Sequence, residues 1–304
     1  MAGGQERVLR RRIRSVQATK KITRAMELIA ASQIVRAQNR IASAKPYQEG
    51  IAQVLAEAAR DLPGGTGRLI GVPEAPTSVL LLAVVADRGL CGGYNANVLR
   101  TTERLLAAGT ERGVRYRLVT TGRKAVSYLR FRGHEVESSF TGFSDRPAFT
   151  DAREVAGVLC APFLEEAVDQ VMVVSTRFLS AGTQVVETRQ VLPLPVPGPE
   201  SSSGEAERRA GYTELEPDGP ELLASLVPRY VEAAVFGALL EAAASEHTAR
   251  QRAMAAATDN ADELTKTLTR VMNRARQDAI TTEIMEIVGG AEALRQAELS
   301  EHED

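Results

Sequence analysis

The sequence predicts an α/β domain set between two long helices that pack on each other. Three stretches point to it: a start almost free of helix breakers, a centre where apolar runs alternate with helical ones, and an end again free of breakers. From Gln5 to about Arg60, Leu9, Ile13 and Val16, then Ile22, Met26 and Ile29, recur at steps of four and three. This narrow apolar seam is expected to face a partner helix. Pro46 removes one backbone donor and is expected to kink the helix near Ala44 and Lys45, and DLPGGTG at 61–67 is expected to end it.

In the centre, Ser78 to Ala86 reads as a strand, GLCGGYN as a turn, and Ala96 to Ala108 as a helix closed by Gly109 and Gly113. A strand from Arg115 to Thr120 follows, then a turn at Gly122, a helix through Phe131, a helix from Asp151 to Leu164, and strands at Val171–Thr176 and Gln184–Val191. Such alternation predicts a mostly parallel, Rossmann-like sheet covered by helices. The Pro-, Gly-, Ser- and charge-rich run from Pro193 to Gly211 is expected to be a mobile loop.

Between Arg229 and Val288 there is no proline and a single glycine, Gly237, which allows one helix of about 60 residues and ~90 Å. Its seam is read as Val231, Val235, Ala238 and Ala242, then Leu264, Leu268, Val271 and Ala275, then Ile280, Ile284, Ile287, Ala291 and Leu294. The jump from Ala275 to Ile280 interrupts the phase. The two terminal helices bury their seams most simply on each other. Their unequal lengths are expected to leave ~35 Å of the C-terminal helix single, and an apolar single helix needs a partner's pocket. The expected divisions are 1–62, first coiled-coil helix; 63–192, α/β domain; 193–213, mobile loop; and 214–304, second coiled-coil helix.

Composition narrows the function. The 304 residues are 44% apolar and 25% charged with a net charge of −2, so folded mass without an overall basic field is expected. Aromatics at 4% and the absence of Trp argue against an aromatic-lined small-molecule site. Cys91 and Cys160 are too few for a thiolate metal cage, and His134, His247 and His302 lie far apart, so neither metal nor cofactor is expected. No apolar run reaches the length of a membrane span. The Arg-rich start is like a transit peptide, but its seam continues into the helix and reads as mature structure.

ADRGLCGGYN, Ala86 to Asn95, sits where α/β proteins place phosphate loops, yet it matches neither GxxxxGK[ST] nor GxGxxG. A tight turn permitted by glycine is therefore the reading the sequence favours, and no His stands beside Cys91 to make it a nucleophile. The first helix carries Arg7, Arg10, Arg11, Arg12, Arg14, Lys20, Lys21 and Arg24 against Glu6 and Glu27. An acidic protein, nucleic-acid phosphates, an anionic membrane, or plain solvation would each account for that asymmetry. The paired acids Glu165 with Glu166 and Glu283 with Glu286 read as surface or interface groups.

ITTEIMEIVGGA at 280–291 resembles the signature of the gamma subunits of F-type ATP synthases, and the likeness covers nearly the whole chain. RIRSVQATKKITRAMELIAASQIVRAQ at 12–38, ADRGLCGGYN, and ASEHTARQRAMAAATDNA at 244–261 are similar to three further segments of that family. The resemblance implies a noncatalytic rotor shaft, an antiparallel coiled coil inside a ring of three alpha and three beta subunits, with the α/β domain below it beside epsilon and the membrane c-ring. It implies that Arg11, Arg12, Lys20, Lys21 and Met26 face the lever region of beta. Arg250, Gln277, Thr281, Glu283, Ile284, Glu286 and Ile287 would serve the shaft-to-head contacts and the helix pairing behind them. The chloroplast relatives' redox cysteines have no counterpart, so thiol control is not expected, and the 193–211 run looks longer than the family's usual connection. A start at Met1 without a transit peptide favours a bacterial protein on the cytoplasmic face of the plasma membrane. A free nucleotide-binding enzyme and a basic coiled-coil protein that binds membrane or nucleic acid are the alternatives.

Overall fold

The computed structural model describes residues 2–60, 69, 71, 75–194 and 219–300. The expected loop therefore lies outside the described residues from 195 to 211, as does the 61–67 run. The chain forms two compact units, Ile29–Ala253 and Met1–Leu28 with Met254–Asp304.

In the larger unit the elements are the later part of α1 (Ala2–Arg60), β1 (Ser78–Val84), α2 (Tyr94–Glu111), β2 (Arg115–Thr121), α3 (Arg123–Phe131), β3 (Ser138–Phe140), α4 (Phe149–Leu164), β4 (Gln170–Phe178), β5 (Gln184–Leu192) and the first part of α5 (Gly219–Ser300). The sheet order is β3-β2-β1-β4-β5. The β3-β2, β2-β1 and β1-β4 neighbours are parallel, and β4-β5 is antiparallel. β1 is central and buried on both faces, which is why SVLLLAV is apolar without alternation. Leu80, Leu82 and Val84 join a core with Leu55 and Ala58 of α1, Leu159 and Phe163 of α4, and Val227, Val231 and Val235 of α5. Leu81 and Val85 turn the other way, onto Val98 and Leu99 of α2 and Ala125 and Leu129 of α3. Gly122, at φ 85°, starts α3 where a Cβ would lie 2.1 Å from the Val85 carbonyl oxygen, so no larger residue fits.

β3 escapes the sequence reading because three residues, Ser138 to Phe140, are too short to show a period. α5 also starts earlier than the proline-free window suggests and runs through Pro228. Full burial of the flanking Val227 and Val231 offsets the lost backbone bond.

The smaller unit pairs Ala2–Leu28 of α1 with residues 254 to about 279 of α5 in antiparallel register. Lys20 Nζ reaches Asp262 Oδ1 at 2.5 Å, and the Thr23 and Thr258 hydroxyls meet at 2.8 Å. Here the expected seams hold at Leu9, Ile13, Val16 and Leu268, which are buried or half-buried, and are corrected elsewhere. Ile22 is 60% exposed and Thr23 is buried in its place, while Leu264 and Val271 are exposed and the buried side passes through Met254, Thr258, Ala261 and Leu268. Small side chains let the backbones approach closely, and Thr23 and Thr258 also satisfy each other's hydroxyls there, so packing overrides the larger hydrophobes. Ile29, in the larger unit, is likewise 62% exposed, with Ala30 buried instead.

Candidate subunit-contact surface

On the smaller unit, a basic face and an unpartnered helix end are the two features that can meet another protein. Within Ala2–Leu28, three basic residues are engaged within the chain: Arg10 with Glu6, Arg24 with Glu27, and Lys20 with Asp262. Lys20 and Lys266 together hold the Asp262 carboxyl below its usual range through hydrogen bonds and charge. Among the described residues, Arg7, Arg11, Arg12, Arg14 and Lys21 form no ion pair, and all are exposed. These cations need no neutralisation in water, but they are placed to attract an acidic surface. Met26 is half-buried.

The antiparallel register puts the start of α1 opposite about residue 279 of α5. Beyond that point α5 runs on to Ser300, about 30 Å of helix with no α1 residue beside it. From Ile280 to Ala293 every residue is exposed. Ile280 (46%), Ile284 (55%) and Ile287 (66%) share one face, with Met285 and Val288 beside it. Each large aliphatic side chain left in water forgoes about 1.5–3 kcal/mol that full burial would bring. Gln277, Thr281, Glu283 and Glu286 are exposed on the same helix, and the Thr281 hydroxyl donates to the Gln277 carbonyl at 3.0 Å. Of the residues singled out from sequence, Gln277, Thr281, Glu283, Ile284, Glu286 and Ile287 are thus brought together. Arg11, Arg12, Lys20, Lys21 and Met26 are spread along α1, with Lys20 turned to Asp262.

Arg250 belongs to the larger unit, where its guanidinium donates to Glu246 at 2.6 Å. Both groups are largely buried, so Arg250 is internal there rather than displayed. Glu246 and burial also act on Cys91: desolvation first and the carboxylate second push its thiol up, and Asn95 Nδ2 donates to the sulfur. Burial pushes Cys160 to about 11. Burial thus disfavours the thiolate at both positions.

Asp87, the second residue of the ADRGLCGGYN run, is a structural hub that sequence reasoning missed. Its carboxylate accepts from the backbone N–H of Arg123 at 3.1 Å, Gly142 at 2.8 Å and Ser144 at 3.2 Å, tying the β1 end to the α3 N-terminus and the loop after β3. Burial would raise its pKa, but the donors of Ser144, Arg123 and Gly142 outweigh it and hold the carboxyl below its usual range. The only signal in the sequence was an acid directly after an apolar strand. Among the described residues no group of His, Cys, Asp and Glu could hold a metal ion, and no helix is long and apolar enough to cross a membrane.

A two-helix coil joined to an α/β domain with an apolar helix end defines a class, a shaft-bearing subunit of a larger machine. The chain matches the family described as ATP synthase over residues 5–294. It is 47% identical over 301 residues to the ATP synthase gamma chain of Frankia casuarinae, covering 96% of this chain and 98% of that one. It is 44% identical over 304 residues to the gamma chain of Mycobacterium marinum, at the same coverage. Its fold is similar to a chain of the Tetrahymena thermophila mitochondrial ATP synthase central stalk and c-ring, with TM-score 0.59 and 24% identity over 78% of this chain and 99% of that one. A chain of the Euglena gracilis mitochondrial ATP synthase matches with TM-score 0.67 and 17% identity over 97% and 96%. The chain belongs to the ATP synthase gamma-chain family.

Proposed function

We infer that the chain is the noncatalytic central-stalk rotor subunit of an F-type ATP synthase, linking a membrane c-ring to the catalytic head of three alpha and three beta subunits. The observation that carries the reading is likeness to gamma chains over nearly the full length of both partners, joined to an α5 end whose aliphatic face has no partner among the described residues. Torque enters at the α/β domain, where the c-ring and epsilon dock, and travels along the paired helices. The asymmetric shaft then forces the three beta sites through different nucleotide affinities in turn, so proton flow drives ATP synthesis and hydrolysis drives the reverse. The chain supplies geometry and stiffness, and the bond-making groups lie in its partners.

In this reading Arg11, Arg12, Lys20, Lys21 and Met26 meet the acidic lever of beta. Gln277, Thr281, Glu283, Ile284, Glu286 and Ile287 meet the sleeve around the shaft tip, and Arg250 stiffens α5 from within through Glu246. The division into 1–62, 63–192, 193–213 and 214–304 follows the same scheme: helix, docking domain, connection, helix. Its bacterial relatives support a peripheral position on the cytoplasmic face of the plasma membrane.

Mass measurement of the complex purified from membranes tests the assignment. One copy of this chain with three alpha and three beta subunits, and ATP hydrolysis coupled to proton pumping, is expected. A chain recovered alone, or a complex equally coupled after its removal, overturns it.

A further inference from the structure

We propose that the crevice at the reversal point of the sheet, between the turn after β1 and the end of β4, binds a small phosphate-bearing anion. The strand order runs from β1 through β2 to β3 on one side, whereas β4 and β5 lie on the other, so the direction of winding reverses between β1 and β4. Ligands of open α/β sheets collect outside the carboxyl ends of the strands at such a reversal. A cavity of about 470 Å³ lies there, lined among others by Gly92, Gly93, Asn97, Thr176, Ser245 and Arg252. That volume suits a small molecule rather than a lone water.

Three observations decide the ligand's chemistry. Thr176 is only 5% exposed, and its hydroxyl has no hydrogen-bond partner among the described residues. It lies two positions along β4 from Val174, which packs on the α2 side, so its side chain is turned to the same face as the cavity it lines. A buried hydroxyl left unpaired is costly, and a ligand oxygen in the crevice would satisfy it. Next, α2 is an 18-residue helix that opens on the cavity at Gly93 with no side-chain cap; its Tyr94 amide donates to the Cys91 carbonyl at 3.2 Å, and the Asn97 side chain lies beside Gly93 and lines the cavity. Finally, among the described residues Arg252 is the one charged group in the lining, and no carboxylate lines the cavity; the nearby Glu246 is paired with Arg250 through Oε1, its Oε2 having no hydrogen-bond partner among the described residues. Arg252 now donates to the Ala181 carbonyl and, at 2.9 Å, to the Gly182 carbonyl, which leaves the rest of its fork available. A cationic fork, helix amides and a hydroxyl that needs a partner together suit a tetrahedral oxyanion. This site does not depend on the rotor assignment.

The test uses the purified full chain, away from the nucleotide sites of the catalytic subunits, titrated calorimetrically with inorganic phosphate, adenosine 5′-monophosphate and adenosine. Saturable binding of phosphate or of the monophosphate is expected. Thr176→Val keeps the shape and should weaken it about tenfold or more, as loss of a hydrogen bond to a charged group does, while the ligand-free variant melts at or above wild type. Arg252→Gln should weaken it comparably. Tighter binding of the monophosphate than of phosphate assigns the site to a nucleotide, and equal binding assigns it to free phosphate. Adenosine binding as tightly as its monophosphate, no saturation up to about 10 mM of either phosphate probe, or unchanged affinity in both variants overturns the proposal.

Discussion

Two stretches of α5 carry the same kind of residue and meet opposite surroundings. From Val227 to Thr248 the helix is buried on nearly every side, with Val231, Val235 and Ala244 fully inaccessible, whereas from Ile280 to Ala293 Ile284, Ile287 and Val288 stand in water. Both are helical, although Pro228 and Gly237 in the first and the β-branched residues with Gly289 and Gly290 in the second lower the local propensity. What differs is the neighbour. The first stretch is part of an α/β core, and its alanines and valines are explained by the chain itself. The second has aliphatic residues that no contact among the described residues explains, as expected of the surface proposed for another protein.

The largest expected effect sharpens that contrast by removing the helix that carries it. Leu268, only 8% exposed in the paired part of α5, tolerates no proline: Leu268→Pro should cost ~3 kcal/mol or more in helix stability and abolish assembly of a coupled complex. Circular dichroism and co-purification with alpha and beta subunits read both losses, and normal assembly would show that α5 need not be continuous there.

A smaller loss is expected in the other region, from the hub at Asp87. Asp87→Asn leaves backbone donors facing a poorer acceptor, for about 1–3 kcal/mol. The pH dependence has a defined sign. Because the folded carboxyl titrates below its usual range, its contribution is complete above the unfolded value near 4 and is lost as pH falls through the lowered folded one. The gap in melting temperature between Asp87→Asn and wild type should therefore be widest at neutral pH and close on acidification. A gap independent of pH would remove the charge from the explanation.

The smallest change in stability should come from the polar pair in the smaller unit. Thr23→Val loses one buried hydrogen bond to Thr258, worth about 0.5–1.5 kcal/mol, and the double Thr23→Val, Thr258→Val variant should cost less than the two single changes added together. Strict additivity in thermal denaturation would mean that the two hydroxyls do not act as a pair.

Apolar spacing in the sequence made the two terminal helices legible, and the uninterrupted apolar run made β1 legible, because each follows from one local rule. The side a helix buries was less legible. Reading Ile22 and Leu264 into the seams follows hydrophobicity, yet the structure buries Thr23 and Ala261, since close backbone approach and satisfied hydroxyls outweigh a larger side chain. Lys20, read as a contact to another subunit, also pairs with Asp262, which needs a register that no local pattern announces. Asp87 stayed hidden because its partners, Arg123, Gly142 and Ser144, come together only when the sheet forms. By contrast, the run of unpartnered aliphatics at Ile280, Ile284 and Ile287 could be read directly, because an excess of helix length over its partner is arithmetic rather than packing.

Ile284→Asp with Ile287→Asp tests most directly whether that α5 end is a surface for the head. Both positions are already exposed, so the isolated chain should melt within about 0.5 kcal/mol of wild type. Burial of two unpaired carboxylates in an apolar sleeve should nevertheless reduce the fraction of this chain retained with alpha and beta subunits on gel filtration, and coupled ATP synthesis with it. Retention and coupling equal to wild type, at unchanged stability, would show that these side chains face solvent in the assembled enzyme and that the apolar end of α5 is not where the shaft meets the head.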